Sequence, residues 1–274
     1  MTAVLEGAAA QRVDARERWS RWSLVVASVL AVAGFSWPLI AAAVPKDAQA
    51  AVPVLALALL PAVVVAVALS LDRAMHTATT IALLGVLTAV AAAVRIAGTG
   101  VGGLEAVFII LILAGRAYGA RFGFLLGMLT IALSSVLWGG IGPWTPFQVF
   151  ACGWVAAGAG LLPRFGGVNR SRTAARLEIA MLVAYGIVSS YAFGLLMNFW
   201  FWPFAVGGSN GLSYVAGAPL GENLASFGLY SLVTSTLTWD TVRAVTTTVG
   251  ILLVGPAALA ALRRAKVGRA RARR

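Results

Sequence analysis

Four ionisable side chains stand at the ends of long apolar stretches, where a charge is costly to bury. Arg95 ends one stretch and Glu105 opens the next, across a glycine-rich connection. Asp240 and Arg243 lie three residues apart at the start of a later stretch. Such groups can bind a polar solute in a cavity open to one side. Alternatively, they neutralise one another, with Asp240 capping a helix beside Arg243, and Arg95 pairing with Glu105.

Aromatic and amide side chains occur near the same ends of the apolar stretches. They are Trp144, Gln148, Asn198, Trp200 and Trp239. Flat aromatic walls with a few amides suit a ring-containing metabolite. Each tryptophan taken singly is also explained by the aromatic belt that forms at a membrane surface. Together with the four ionisable residues, these five make up the predicted substrate-binding set.

Catalytic chemistry is poorly represented in this chain. His76 is the single histidine and Cys152 the single cysteine, which excludes a multi-histidine metal site and an internal disulfide. No glycine-rich segment matches a nucleotide-binding P-loop. No pair of acids within the apolar stretches resembles the metal-binding motif of a membrane prenyltransferase. The sequence therefore predicts a protein that is not an enzyme and has no intrinsic cofactor or metal.

Composition defines the broad class. Of 274 residues, 60% are hydrophobic and only 11% are charged. So little polar surface is typical of a polytopic helical membrane protein. The net charge of +12 could suggest nucleic acid, but the basic residues cluster just outside the apolar stretches. This placement indicates anionic lipid headgroups rather than nucleic acid as the charged partner.

The apolar stretches predict an all-α chain with eight membrane spans. These are residues 22–43, 51–71, 77–98, 104–115, 122–138, 147–162, 177–202 and 241–262. The longest connection is predicted over 203–239, with a half-helix at 223–237 lying on or dipping into the membrane. Residues 116–121 are predicted to join the fourth span to the fifth.

The basic residues also predict the orientation of the chain. With both termini in the cytoplasm, the inner segments hold 18 of the 21 Lys and Arg residues. Only Lys46, Arg95 and Arg243 fall elsewhere. The positive-inside rule therefore favours eight spans in the plasma membrane with both ends cytoplasmic.

Small residues recur every four positions along the third span. Gly85, Ala89, Ala93 and Ala97 lie on one face of a helix, where they allow a second helix to approach closely. The partner is either another helix of the same bundle or a separate membrane protein.

Three stretches carry a family resemblance. They are GGLEAVFIILILAGRAYGARFGFLLG from residue 102, IGPWTPFQVFACGWVAAGAGLLP from residue 141 and LTWDTVRAVTTTVGILLVGPAALAALRR from residue 237. The chain from about residue 77 to the end resembles the substrate-binding S components of energy-coupling factor (ECF) vitamin transporters, in their actinobacterial-type branch. The resemblance covers roughly 200 residues and is specific for the family rather than for the vitamin.

The resemblance implies a six-helix S-component bundle over 77–262, with both termini cytoplasmic. Two extra helices at 22–76, a cytoplasmic segment at 1–21 and a basic tail at 263–274 complete the predicted organisation. In the family, small residues spaced by four pack on a transmembrane coupling subunit, which assigns Gly85, Ala89, Ala93 and Ala97 to that interface. The connections at 98–103, 139–145 and 203–239 are expected to close over the vitamin.

The implied function is the substrate-specific subunit of an ATP-driven importer. ATP and Mg²⁺ would be used by two separate ATPase subunits, because this chain has no ATP-binding motif. A vitamin or related micronutrient is expected as the substrate, with cobalamin as the first guess by resemblance alone. A stand-alone secondary transporter, a membrane-embedded enzyme and a scaffolding membrane protein remain as alternatives.

Overall fold

Long apolar runs separated by short polar stretches dictate a chain of helices, because a helix satisfies its own backbone hydrogen bonds. The computed structural model describes residues 25, 26, 28–38, 54, 78–98, 105–165, 171–205, 211–215 and 217–271. Its helices are α1 (Ala78–Gly98), α2 (Val107–Tyr118), α3 (Ala120–Trp138), α4 (Thr145–Leu161), α5 (Arg172–Ala205), α6 (Leu220–Ser231) and α7 (Thr241–Arg271). A π-helical segment, Leu232–Asp240, joins α6 to α7.

The predicted all-α class is confirmed for the described part of the chain. Four of its helical stretches are long and apolar enough to cross a membrane: Ala78–Gly98, Ala120–Trp138, Arg172–Ala205 and Leu220–Ala265. Helix α2 is apolar but shorter. This architecture is compatible with a helical membrane protein. The spans predicted at 22–43 and 51–71 fall mostly outside the described residues, so the number of spans and their orientation stay predictions.

The prediction of a long connection over 203–239 was wrong. Helix α5 continues through Pro203 to Ala205, and one helical stretch then runs from Leu220 through the π-helical segment into α7. The half-helix predicted at 223–237 is the first part of this stretch. Between residues 229 and 249 there is neither Gly nor Pro to end a helix, which explains its continuity.

The join between α2 and α3 is tighter than the predicted connection at 116–121. Arg116 belongs to α2, and only Gly119 separates the two helices. Gly119 has φ of 97°, a conformation that side-chain-bearing residues rarely adopt. The chain therefore reverses within a single residue, and α2 and α3 pack side by side.

Small residues bring α3 very close to α4. A Cβ added at Gly123 would lie 2.6 Å from the Ala156 carbonyl oxygen, and one at Gly127 would collide with the Cys152 carbonyl. Backbone-to-backbone packing of this kind is typical of apolar helices, because only small residues permit it. The backbones of α3 and α4 are therefore in close contact along this face.

The bundle has two polar ends, identified by contacts between helix termini. At one end the last turn of α1 reaches α3 and α4, and the start of α7 reaches Glu105 before α2. We call it the Arg243 end. At the other end Arg116, near the end of α2, reaches Glu178 at the start of α5. We call it the Glu178 end. The charge count predicts that the Arg243 end faces outward.

The N-terminal segment 28–38 packs against the rest of the bundle. Trp37 donates its indole N–H to the Trp200 carbonyl at 2.9 Å, and Phe35 packs edge-on against Phe147. Near the other end of the segment, Ser28 accepts a hydrogen bond from the Trp154 indole at 3.0 Å. The region predicted as the first extra span thus lies on α4 and α5.

The close approach of α3 to α4 can be tested with two glycine substitutions. We expect Gly127→Ala to lower the melting temperature, because its Cβ would meet the Cys152 carbonyl. The matched control is Gly85→Ala, where an added Cβ meets nothing within 4 Å. Replacing a glycine by alanine inside a helix, where the added methyl group meets nothing, raises the free energy of unfolding by about 0.8–1.0 kcal/mol. Melting curves in detergent measure both, and equal effects would contradict this packing.

Candidate functional site

Arg243 is the centre of the Arg243 end. Its side chain is almost completely buried at the start of α7, where it bonds the Glu105 carboxylate through Nε. Through Nη1 it donates to Asp240 Oδ1 at 2.7 Å and to the Ser190 carbonyl at 3.1 Å. The rings of Phe108 and Phe193 lie 5.5 and 4.8 Å from its guanidinium carbon. One cation therefore connects α2, α5 and α7.

The network continues from Asp240 into the π-helical segment. Ser235 Oγ donates to Asp240 Oδ2 at 2.9 Å, and the Asn198 amide donates to Ser235 at 2.6 Å and to Ser231 at 2.7 Å. Ser231 is the last residue of α6 and Ser235 lies in the π-helical segment, so both segments contact α5 through Asn198. Asn198, one of the amides of the predicted substrate-binding set, thus has two hydrogen-bond partners.

Gly194 makes room for the Asp240 carboxylate on α5. A Cβ at this position would collide with the carboxylate itself. The carboxylate is 1% exposed, so its charge depends on Arg243 and Ser235 for compensation. The absence of a side chain at Gly194 is thus part of the site.

A second polar group surrounds Arg95 in the last turn of α1. Its Nη1 donates to Ser134 Oγ on α3 at 2.8 Å, and its Nη2 donates to Gln148 Oε1 on α4 at 3.2 Å. Ser134 is fully buried and also donates to the Thr130 or Ile131 carbonyl of its own helix. We call Arg95, Ser134 and Gln148 the Arg95 group.

The two groups occupy one region of the bundle. The buried Cys152 thiol, one turn after Gln148 on α4, lies within electrostatic range of Arg95, Glu105 and Arg243. Cys152 belongs to the hydrophobic core of the bundle. Six of the nine predicted substrate-binding residues therefore lie in or beside this region: Arg95, Glu105, Gln148, Asn198, Asp240 and Arg243.

The three tryptophans of the predicted set lie apart from one another. Trp200 is buried and stacks on Phe147 with ring centroids 4.4 Å apart. Trp144 is 42% exposed and Trp239 is 49% exposed, as expected for an aromatic belt. Among the described residues, no ring contact joins either of them to Trp200. A single aromatic wall built from all three is not formed here.

The structure contains one of the two predicted ion pairs and lacks the other. Asp240 and Arg243 are paired, as one interpretation expected, but Asp240 does not cap a helix start, because the chain is helical on both sides of it. Glu105 bonds to Arg243. The expected pairing of Arg95 with Glu105 is replaced by the contacts of the Arg95 group.

Sequence analysis missed the charge cluster at the Glu178 end. Glu178, 2% exposed, accepts from Arg116 Nε at 2.6 Å and from Arg263 Nη2 at 2.8 and 2.9 Å. Arg116 also donates to the carbonyls of Leu162 and Pro163 just after α4. The sequence analysis placed Arg116 in the connection between two spans. Gly119, three residues later, was the available signal that the helix extends past Arg116, because the chain reverses at that glycine.

The connection between α5 and α6 carries one titrating group outside the helices. Burial raises the pKa of Tyr214, so its hydroxyl remains protonated and donates to the Pro38 carbonyl at 3.0 Å. Tyr214 thereby ties this connection to the N-terminal segment. In the described residues, no group of three His, Cys, Asp or Glu side chains is arranged to hold a metal ion.

Comparison with known proteins gives no relative. No family model, no curated protein sequence and no solved structure matches the chain. The described fold and the site together define a helical bundle, compatible with a membrane protein, that has a buried polar network at each end.

The Arg243 network can be tested by a double-mutant cycle. Arg243→Met leaves two carboxylates without their cation, so we expect the free energy of unfolding to fall by about 3–5 kcal/mol. Asp240→Asn should be milder, and the double variant should lose less than the sum of the two. Unfolding titrations with sodium dodecyl sulfate in mixed micelles measure these differences. The control is Arg264→Met, an exposed arginine of the same helix; equal losses at both sites would refute the network.

The Glu178 cluster makes a separate prediction. Glu178→Gln removes the carboxylate shared by Arg116 and Arg263, and we expect a loss on the order of 3 kcal/mol in unfolding free energy. Glu222→Gln, at an exposed carboxylate in the first turn of α6, should change stability little. The same unfolding titration measures both variants. Wild-type stability in Glu178→Gln would show that the cluster contributes nothing.

Proposed function

We propose that this chain is a membrane subunit that binds a small polar solute at its Arg243 end and hands it to partner proteins for import. By the resemblance described above, it would be the S component of an ECF-type importer. The solute would be a vitamin or related micronutrient, with cobalamin as the first candidate. The Arg243 end would face outward, and both chain termini would be cytoplasmic.

One observation carries the solute-binding part of this proposal. Charged and amide side chains from α1, α4, α5 and α7, together with Glu105 shortly before α2, lie at the Arg243 end of the bundle. Polar groups placed among apolar helices usually mark a solute or ion pathway. Six residues predicted from the sequence as solute contacts belong to this concentration.

The small-residue ladder on α1 supports the partner-binding part. Gly85, Ala89, Ala93 and Ala97 are all exposed, whereas the buried face of α1 is formed by Leu84, Thr88, Ala91 and Ala92. The ladder is therefore not used for packing within the described bundle. A smooth exposed face of this kind fits close approach by a helix of another subunit.

In ATP-driven import, the partner subunits would carry out the ATP hydrolysis. Two ATPase subunits would bind ATP and Mg²⁺, and a transmembrane coupling subunit would transmit their motion to the ladder. The present chain would contribute substrate selection alone, without catalysis.

A stand-alone secondary carrier is the second candidate function, favoured by the buried Asp240 carboxylate. A buried acid in an apolar helix can exchange a proton during transport. The ion pair with Arg243 and the hydrogen bond from Ser235 argue against it, because both oxygens of the carboxylate already have partners within the protein.

The test of the proposed function is assembly and ATP-dependent uptake. The tagged chain, purified from membranes of its own host, should bring down a multi-spanning protein and two P-loop ATPases, and the complex should hydrolyse ATP. We expect Ala89→Trp plus Ala93→Trp to abolish this assembly, because two indoles on the ladder prevent close helix approach. The chain alone should keep its solute, as measured by mass spectrometry.

A matched control places the two tryptophans on α7 instead of α1. Val249→Trp plus Leu253→Trp places two indoles with the same spacing on an exposed face of α7, and assembly should persist. Assembly that survives the ladder substitutions would reject the docking face. Uptake by the purified chain alone in vesicles, driven by a proton gradient, would favour the stand-alone carrier.

A further inference from the structure

We propose that the Arg95 group recognises an anionic part of the solute, either a carboxylate or a phosphate. The proposal rests on the proposed function, since it assigns a chemical class to the solute bound at the Arg243 end. Arg95 would make the charged contact, and Ser134 and Gln148 would position its guanidinium.

The first argument is the difference between Arg95 and three other buried or half-buried arginines, Arg116, Arg243 and Arg263. Arg243 contacts the carboxylates of Glu105 and Asp240, while Arg116 and Arg263 share that of Glu178. Within the described part of the chain, the hydrogen-bond partners of Arg95 are a hydroxyl and an amide, both neutral. These three cations thus contact carboxylates of this protein, whereas no carboxylate of the described residues contacts Arg95.

The second argument is the position of the unneutralised charge. Arg95 is half-buried where α1, α3 and α4 meet, so water screens its charge less than at an open surface. The negative end of the α1 dipole favours a cation in the last turn but carries only a partial charge. The nearest carboxylate to be expected, Glu105, is already bonded to Arg243. A ligand anion could therefore contact the Arg95 guanidinium directly, which neither Glu105 nor Asp240 does in the described contacts.

The third argument is the geometry of the guanidinium. Five N–H groups are available on an arginine, and the two contacts to Ser134 and Gln148 use one hydrogen on Nη1 and one on Nη2. Ser134 is fully buried and anchored to the backbone of α3, which fixes the plane of the group. A fixed planar fork is the arrangement that binds two oxygens of a carboxylate or phosphate at once.

The probe for this inference is a panel of paired small molecules that differ in one anionic group. Suitable pairs are biotin and biotinamide, pantothenate and panthenol, riboflavin and its 5′-phosphate, and cobalamin, which carries a phosphodiester, with cobinamide, which lacks the nucleotide loop. Binding to the purified full-length chain in a nonionic maltoside is measured by tryptophan fluorescence. Compounds that co-purify with the chain are identified in parallel by mass spectrometry.

We expect the chain to bind the anionic member of a pair, or to retain an anionic compound from the cell. Arg95→Gln should weaken that binding by about tenfold or more, and Arg95→Lys should weaken it less because the charge remains but the fork is lost. Arg264→Gln, an exposed arginine on α7, should bind as wild type. Arg95→Lys also provides the test if the glutamine variant does not fold.

The outcomes separate this inference from the proposed function. Equal binding of both members of a pair, unchanged in Arg95→Gln and Arg95→Lys, would overturn the anion site but leave solute binding intact. If no member binds and nothing co-purifies, the proposed function fails, and this inference fails with it. Added phosphatidylglycerol distinguishes the source of the anion: competition at micromolar lipid, with no soluble anion bound, would assign Arg95 to a headgroup and reject the solute contact.

Discussion

The burial of Arg243 is the interaction on which the Arg243 end depends. A guanidinium almost completely removed from water is tolerated only if its charge is compensated nearby, and here two carboxylates and a backbone carbonyl do so. These partners come from Glu105 shortly before α2, from α5 and from the end of the π-helical segment. The same requirement therefore fixes where three helical stretches meet. The rings of Phe108 and Phe193 close the remaining sides of the cation.

The irregular backbone nearby follows from this charge. A regular α-helix through 232–240 would present Asp240 and Ser235 with a different relative rotation, whereas the wider π turn allows Ser235 to bond the Asp240 carboxylate. Thr241 stabilises the widened turn by donating its hydroxyl to the Thr236 carbonyl at 2.7 Å. On the facing helix, Gly194 leaves space for the carboxylate. The π-helical backbone, the space left by Gly194 and the ion pair of Asp240 with Arg243 therefore depend on one another.

Much of the fold could be predicted from the sequence, and the reasons are physical. Long apolar runs require helices, and the positions of Arg95, Glu105, Asp240 and Arg243 at run ends were enough to place them together. The join at Gly119 and the helix through 220–271 could not be foreseen, because glycine content suggests connections without fixing their length. The partner of each charge was equally hidden: Glu105 is ten residues from Arg95 in the sequence and 138 from Arg243, yet it bonds to the latter. Pairing depends on helix rotation, which composition does not determine.

The distribution of charge separates scaffold from site at both ends of the bundle. Where a cation faces a carboxylate of the same chain, as with Arg116 and Glu178 or Arg243 and Asp240, the pair holds helices together and leaves little charge for a ligand. Arg95 differs because its described partners position it without neutralising it. The exposed ladder of α1 lies on the same helix as Arg95 but away from the face that packs on α3. If the ladder binds a partner and Arg95 binds the solute, as we propose, α1 would couple assembly to solute binding through one rigid element. Docking on the ladder would then tilt or shift the group that we propose to hold the solute.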